Sequence, residues 1–429
     1  MSKVTGVAVA VLVAVVALAG GAAAEGISVT FFPLDPNPRE NMAPALQAFT
    51  AQTGIRITDF QVVPWAGGQE RIVSALAAGR GSDVIYTTTG RALQLVDLGA
   101  VAPLDRRLTP EFVRSVYKNP GIVEQFRWKG QLYLAPFVRN AHVWVVNRQA
   151  FRRAGVSTAV VDRMADPRQS WSWDELLDLA RRLTVDLNGD GKPDQWGYAY
   201  PGGDQRASPF LRLYWNFERD VVTPDGRVVI GGPETVQLLE LLAAMAREGL
   251  MPPGVESMNA RETEDLFSSG RVAMIQTDLL GPVQDAVASG DFEIVYPPVA
   301  PNGGRGNFVA FDSLVINSSS RNPEAAWKFI EFVLTSDAFR NYLLGRHLAP
   351  ASGVDPTLEE NPVFRRKFEV ENRLVADFWT RHEAFHPAGP AIIAAYNAAA
   401  QAVLSGRKNP QQAAADLRAE VERAVQSVR

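Results

Sequence analysis

Ile27-Ser28-Val29-Thr30-Phe31-Phe32 opens a stretch in which short apolar runs alternate with striped segments. Residues 41 to 53 place Met42, Leu46 and Phe49 on one helical face, and Gly54 closes that helix. Ile55-Arg56-Ile57 reads as a second strand. The loop Pro64-Trp65-Ala66-Gly67-Gly68 leads into a helix carrying Ile72, Val73 and Leu76. Asp83-Val84-Ile85-Tyr86 is a third strand. Strands alternating with helices predict βαβ units on a parallel sheet, the α/β class.

Upstream of this stretch, Met1-Ser2-Lys3 precedes an apolar run from Val4 to Ala19 and then Gly20-Gly21-Ala22-Ala23-Ala24-Glu25. One positive charge, an apolar stretch and an Ala-x-Ala ending predict a signal peptide over 1–24, cut after Ala24. The alternative is a membrane anchor, since the uncharged run from Val4 to Ala24 is nearly long enough to span a bilayer. The chain has no cysteine, so it holds no disulfide and no cysteine-linked lipid. An exported, untethered carrier stays near its cell only if confined, which favours a periplasm. The formal net charge is −4, one unit more negative without Lys3, and this argues against a nucleic-acid partner. A chain of 429 residues is too long for one core, so two domains are expected.

Downstream, Ser172-Trp173-Asp174-Glu175-Leu176 carries a capping box, with Glu175 three residues after Ser172. Asn322 and Pro323 suit the N-cap and first turn of a helix whose buried stripe is Ala326, Phe329, Ile330 and Val333. From Pro390 onward the chain is Ala-rich and helical by propensity. No single linker divides the chain, as expected if each domain is built from several segments.

The order of blocks resembles the family of extracellular solute-binding proteins that includes the maltose-binding protein. Five stretches carry the likeness across nearly the whole chain. They are Gly81-Ser82-Asp83-Val84-Ile85 with residues 97 to 105; Gly130-Gln131-Leu132-Tyr133 through Phe137 with Val145-Val146-Asn147-Arg148 and Phe151; residues 172 to 176; Asp265 to Met274; and Pro323 to Val333. The resemblance implies a two-lobed periplasmic binding protein fold of type II, with lobes joined by a three-segment hinge. Crossings near Val138, Gly306 and Ala351 would give an N-terminal lobe of 25–138 plus 306–350 and a C-terminal lobe of 139–305 plus 351–429. It further implies a monomer that closes on a small solute, a mono- or oligosaccharide, and delivers it to ABC permease subunits. No catalytic residue is implied.

A sugar needs flat aromatic surfaces beside fixed polar groups. Trp173, Trp327 and Trp196 read as packing, and Trp144 as a core strand residue. Trp65, in a loop after the second strand, is a candidate platform or a pin for its own turn. Trp215 and Asn216 resemble a cleft-facing region of the family, although Phe217-Glu218-Arg219 stand where glycines are usual. Thr88 and Thr89 open a helix after the third strand and would either meet a polar ligand or cap that helix. Arg139 and Asn140 lie at the presumed first crossing, where Arg139 would fork hydroxyls or a carboxylate, or make a hinge salt bridge. Asp278 follows the strand ending at Thr277. Asn307 and Asp312 lie at the second crossing, and Arg346-His347 resembles a stretch bordering the cleft.

Asp186-Leu187-Asn188-Gly189-Asp190-Gly191-Lys192-Pro193-Asp194 has oxygen ligands at alternate positions and Gly191 at the sharp turn of a calcium loop. Asp186, Asn188, Asp190, the Lys192 carbonyl and Asp194 would hold a structural calcium ion. A bidentate Glu is missing, because Gly197 occupies its position, and the other reading is a turn without metal. Among enzyme classes, His142, His347, His382 and His386 have no zinc-protease spacing, and no Gly-x-Ser-x-Gly elbow occurs. Glycosidase carboxylate pairs stay open, because 47 acidic residues allow many. A non-sugar solute, such as a polyol phosphate or polyamine, is the other alternative.

Overall fold

The computed structural model describes residues 26–428 other than 66, 205, 207, 218–219, 224, 279–281, 289–290, 378 and 382–384. The expected signal peptide, His382 and the pair Glu218-Arg219 lie outside the described residues. In chain order the first strands are β1 (Gly26–Phe31), β2 (Arg56–Val62), β3 (Val84–Thr88), β4 (Arg127–Trp128), β5 (Gln131–Leu132), β6 (Ala135–Ala141) and β7 (Val143–Asn147). Then come β8 (Trp196–Tyr198), β9 (Val272–Thr277), β10 (Phe292–Val295), β11 (Gly306–Ile316), β12 (Ala349–Pro350) and β13 (Trp379–Arg381).

Two sheets organise the chain. The larger has the order β12-β6-β11-β3-β1-β2, with β13 paired to β11; the smaller has the order β10-β7-β9-β8. β1 pairs in parallel with both β2 and β3. The sheet therefore needs helical crossovers, and the helices Pro38–Thr53 and Gly68–Ala77 supply them. Ile27, Val29 and Phe31 of β1 are fully buried, as a central parallel strand requires. Gly54 ends the first helix at φ 72°, a left-handed conformation that costs a glycine little.

The chain leaves the larger sheet along β6 and enters the smaller at β7, one residue later. It returns along β11, which pairs antiparallel with both β6 and β3. One apolar core fills the larger sheet and reaches Val145 and Ile275 of the smaller. A second core gathers Trp144, Val146 and Met274 with the helices Trp173–Leu183, Pro233–Arg247, Gly389–Leu404 and Pro410–Ser427. No helix among the described residues is long and apolar enough to cross a membrane.

The capping box forms as expected: Ser172 accepts from the Glu175 N–H, and Glu175 accepts from the Ser172 N–H. Asn322 is different. Its side chain makes no cap bond and instead donates to the Gly26 carbonyl at 2.9 Å, which ties the helix Pro323–Thr335 to β1. The third strand also runs further than its apolar residues indicated, because Thr87 and Thr88 pair with Ser313 and Asp312 of β11.

Helix Pro362–Asp377 covers the crossing and carries a buried ion pair, Lys367 with Glu371 at 3.7 Å, both fully inaccessible. Glu371 accepts from the Ala141 N–H at 3.2 Å, so the pair is anchored to the last residue of β6. Removing one member of such a pair strands the other in a low dielectric. Glu371→Ala is expected to cost about 3–5 kcal/mol in urea unfolding, and Lys367→Met with Glu371→Leu is expected to cost less than that single change, though still destabilising because Arg139 and the Ala141 N–H lose Glu371.

Candidate solute-binding cleft

The carboxyl ends of β1, β2 and β3 form one wall. In open α/β sheets ligands bind beyond the carboxyl ends of the strands. Here β1 runs into Phe32 and β2 into Trp65. The Trp65 ring is 41 % exposed and stacks on Phe32 with centroids 4.6 Å apart and 14° between planes. Its Nε1 donates to the Pro33 carbonyl at 3.2 Å, which steadies the partly exposed ring. The Arg91 guanidinium lies 5.0 Å from the Phe32 centroid and 5.4 Å from that of Trp65. At the end of β3, the Tyr86 hydroxyl donates to Asp312 Oδ2 at 2.5 Å. Burial, and then the Asp312 charge, push the Tyr86 hydroxyl well above its usual value.

The opposite wall stands on β9, whose last residue, Thr277, pairs with Val143 just past the crossing. Asp278 follows, with its carboxylate 3.6 Å from Arg206. Arg206 also chelates Asp204, at 2.8 Å from Nη2 and 3.1 Å from Nε. Burial pushes the Asp204 carboxyl up, but the Arg206 guanidinium outweighs it and holds the group below its usual value. Glu264 accepts from Thr277 Oγ1 at 2.7 Å. Burial, followed by the Asp278 charge, raises Glu264 to about 7.

Between the walls lies the seam of β6 and β11. Val138 sits opposite Asp312, and five residues further on Val143 sits opposite Thr277. At ~3.4 Å per residue these two pairings are at most roughly 17 Å apart along the chain. His142 is buried, its ring 4.9 Å from that of Phe308. Burial, then Arg212, Arg206 and Lys367, hold His142 far below its usual value, so it is neutral. Asn140 Oδ1, His142 Nδ1, Asn307 Oδ1 and Asn216 Oδ1 are all buried without a hydrogen-bond partner. Similar atoms occur elsewhere among the described residues, at Gln69, Trp173 and Ser268, so the four show that the seam is polar.

The residues singled out in the sequence thus divide. Trp65, Asn140, Asn307 and Asp278 border the seam or its walls. Thr88 stands beside Asp312 in register. Arg346 lies 3.5 Å from Asp35, which also accepts from Tyr342 at 2.9 Å. Three others turn to internal partners. Thr89 donates to the Phe311 carbonyl at 3.1 Å. Arg139, only 4 % exposed, bonds Asn372 and faces Glu371, while burial lowers its proton affinity. Asn216 donates to the Arg212 and Gly306 carbonyls at 3.2 and 3.1 Å, fastening the start of β11. Trp215 is 3 % exposed in the second core and offers no open face. Arg91, Asp204, Arg206 and Glu264 were not anticipated. Only Arg91 had a local signal, in its position just after Thr87-Thr88-Thr89-Gly90.

The loop 186–194 closes on its own amides. Asp186 accepts from the N–H groups of Gly189 and Gly191 at 2.6 and 2.7 Å, and Asp194 accepts from those of Leu187 and Asn188 at 2.8 and 3.1 Å. Asp190 Oδ1 accepts from the Lys192 N–H at 2.9 Å. No group of three His, Cys, Asp or Glu among the described residues is placed to hold a metal ion. A cavity of about 810 Å³ adjoins this loop, lined by Asp190, Lys192, Trp196 and Glu248 among others.

Residues 36–338 match the family described as bacterial extracellular solute-binding protein. The chain belongs to that family. Among curated relatives, a putative binding protein of Brucella abortus (strain 2308) is 23 % identical over 75 % of this chain and 75 % of its own length. A protein of Streptomyces antibioticus named as an uncharacterized lipoprotein is 23 % identical over 67 % of this chain and 61 % of its own. The same fold occurs in the GacH receptor of Streptomyces glaucescens, studied unliganded and with acarbose. It has a TM-score of 0.73, 19 % identity and coverage of 94 % of this chain and 99 % of that one. An ABC substrate-binding protein of Listeria monocytogenes in complex with cycloalternan gives a TM-score of 0.71 at 18 % identity, covering 93 % and 98 %. MalE of Bdellovibrio bacteriovorus bound to maltotriose gives 0.70 at 19 %, covering 94 % and 100 %.

Glu264 makes the cleft wall of this solute-binding protein pH-sensitive. Its raised value means the folded state holds a proton that the unfolded state releases from about pH 4.5 upward. Stability from this group is full below that range and lost as the pH rises through about 7. Glu264→Gln is expected to flatten the fall in melting temperature across that interval, and a slope unchanged from wild type would contradict the assignment.

Proposed function

We propose that this protein captures a carbohydrate between its two walls and hands it to the membrane permease of an ABC importer. The exposed Trp65 ring, stacked on Phe32 with the Arg91 guanidinium beside it, carries the reading. A flat ring takes the C–H face of a sugar, and the surrounding carboxylates and guanidinium groups take its hydroxyls. Acarbose, cycloalternan and maltotriose in proteins of the same fold support the choice of sugar over a polyol phosphate or a polyamine. The two lobes of this reading are 25–138 plus 306–350 and 139–305 plus 351–429, moving on the seam of β6 and β11 as a monomer. Ligand closes them by a hinge motion.

The protein acts by binding and release, without turnover, and works outside the cytoplasmic membrane after loss of residues 1–24. The absence of cysteine from the sequence supports a periplasmic protein held by no cysteine-linked lipid. The alternating oxygen ligands of 186–194 support a structural calcium ion there, bound after Asp190 releases the Lys192 amide.

Calorimetry against a panel of mono- and oligosaccharides tests the ligand class. At least one member is expected to bind without being cleaved, and Trp65→Ala weakens that binding by about tenfold. Silence across the panel with a response to a polyol phosphate or polyamine defeats the sugar assignment. EDTA treatment is expected to lower the melting temperature and calcium to restore it; no shift and no bound calcium removes the metal from the account.

A further inference from the structure

A groove of about 270 Å³ runs along the seam between the helix Gly68–Ala77 and the β1–β2–β3 end of the larger sheet. Arg39, Arg71 and Arg80 line it, and no Asp or Glu does. None of these three arginines makes an ion pair among the described residues, and all three are exposed. The groove is therefore a local concentration of positive charge on a chain whose net charge is −4. General basicity does not account for it.

The groove has a built floor. Thr30 and Ser82 are 4 % and 5 % exposed, and their hydroxyl oxygens lie 2.7 Å apart. Two hydroxyls carry two protons and use one between them, so one proton is left to donate. Arg39 is steadied by the Phe60 ring, 5.8 Å from its guanidinium carbon, a contact that leaves its in-plane N–H groups available. Gln61, at the rim, is held by its bond to Asp59 at 2.6 Å.

Three guanidinium groups around one small volume repel one another unless a counter-charge sits among them. A phosphoryl group fits this demand. It brings up to two charges and several acceptor oxygens to forks that bind such oxygens in pairs. A free phosphate compound brings both charges itself, whereas a phosphodiester headgroup brings one and relies on the anionic membrane surface around it for the rest.

We propose that this groove is a second binding site, separate from the interlobe cleft, for a phosphoryl group, carried by a free phosphate compound or by a lipid headgroup. Neither Trp65 nor Asp278 lines it, so it stands or falls independently of the sugar reading.

The experiment titrates the full-length mature protein with inorganic pyrophosphate by calorimetry, at ionic strength held constant with sodium chloride. Flotation with phosphatidylglycerol vesicles, against phosphatidylcholine vesicles, runs in parallel. Wild type, Arg71→Gln with Arg80→Gln, each single variant, and Arg340→Gln as a distant control are compared. A single saturable pyrophosphate site is expected, weakened at least about tenfold in the double variant and unchanged in the control. Melting curves without pyrophosphate are expected to coincide, which separates loss of the site from loss of the fold; should the double variant melt early, the single variants carry the comparison. Vesicle binding that needs Arg71 and Arg80, without a pyrophosphate response, assigns the phosphoryl group to a lipid. No binding in either arm, or binding equal in the wild type and the arginine variants, overturns the proposal.

Discussion

The antiparallel seam of β6 and β11 is the constraint on which the rest of the molecule depends. It joins the two sheets, so its strands must be rigid enough to hold them and polar enough to border a cleft. These demands conflict, because buried polar groups are costly unless bonded. The chain meets part of the cost with the helix Pro362–Asp377, which returns Glu371 to the Ala141 amide and places Asn372 against Arg139. What is left unmet among the described residues includes one polar atom each at Asn140, His142 and Asn307.

The two walls follow from the same seam. Because β3 and β6 both pair with β11 around Asp312, the carboxyl ends of the parallel strands are brought to the crossing. Because β7 continues directly from β6 and pairs with β9, Thr277 and Asp278 arrive at its other end. The walls differ in chemistry. The first offers an open ring with one guanidinium and one carboxylate. The second offers three carboxylates against Arg206 and Arg212; burial first, and then the Asp278 charge, lets Glu264 hold its proton near neutrality.

Much of the fold could be read from the chain because its determinants are local. The alternation of β1, helix, β2, helix and β3, and the capping box at Ser172 and Glu175, are set by residues within a few positions of one another. Asn322 stands at the N-cap as its sequence context indicated, but its amide donates to an acceptor almost 300 residues away, the Gly26 carbonyl. The site was less legible for the same reason. Asp204, Arg206, Glu264 and Asp278 come from separate segments that only the smaller sheet brings together. Trp215 looked like a platform, yet it belongs to a core closed by distant helices, where Phe210 stacks on Tyr396 at 5.0 Å. The position of Trp65 beyond β2 was legible because strand, glycine-rich loop and aromatic follow one another directly.

The central claim is that a sugar binds between the walls and draws them together about the seam. Small-angle X-ray scattering of the protein with and without a sugar that binds it tests this most directly. The account predicts a smaller radius of gyration at saturation, with wild-type closure lost when Trp65 is replaced by alanine at the same sugar concentration. Full binding with an unchanged radius of gyration would contradict it.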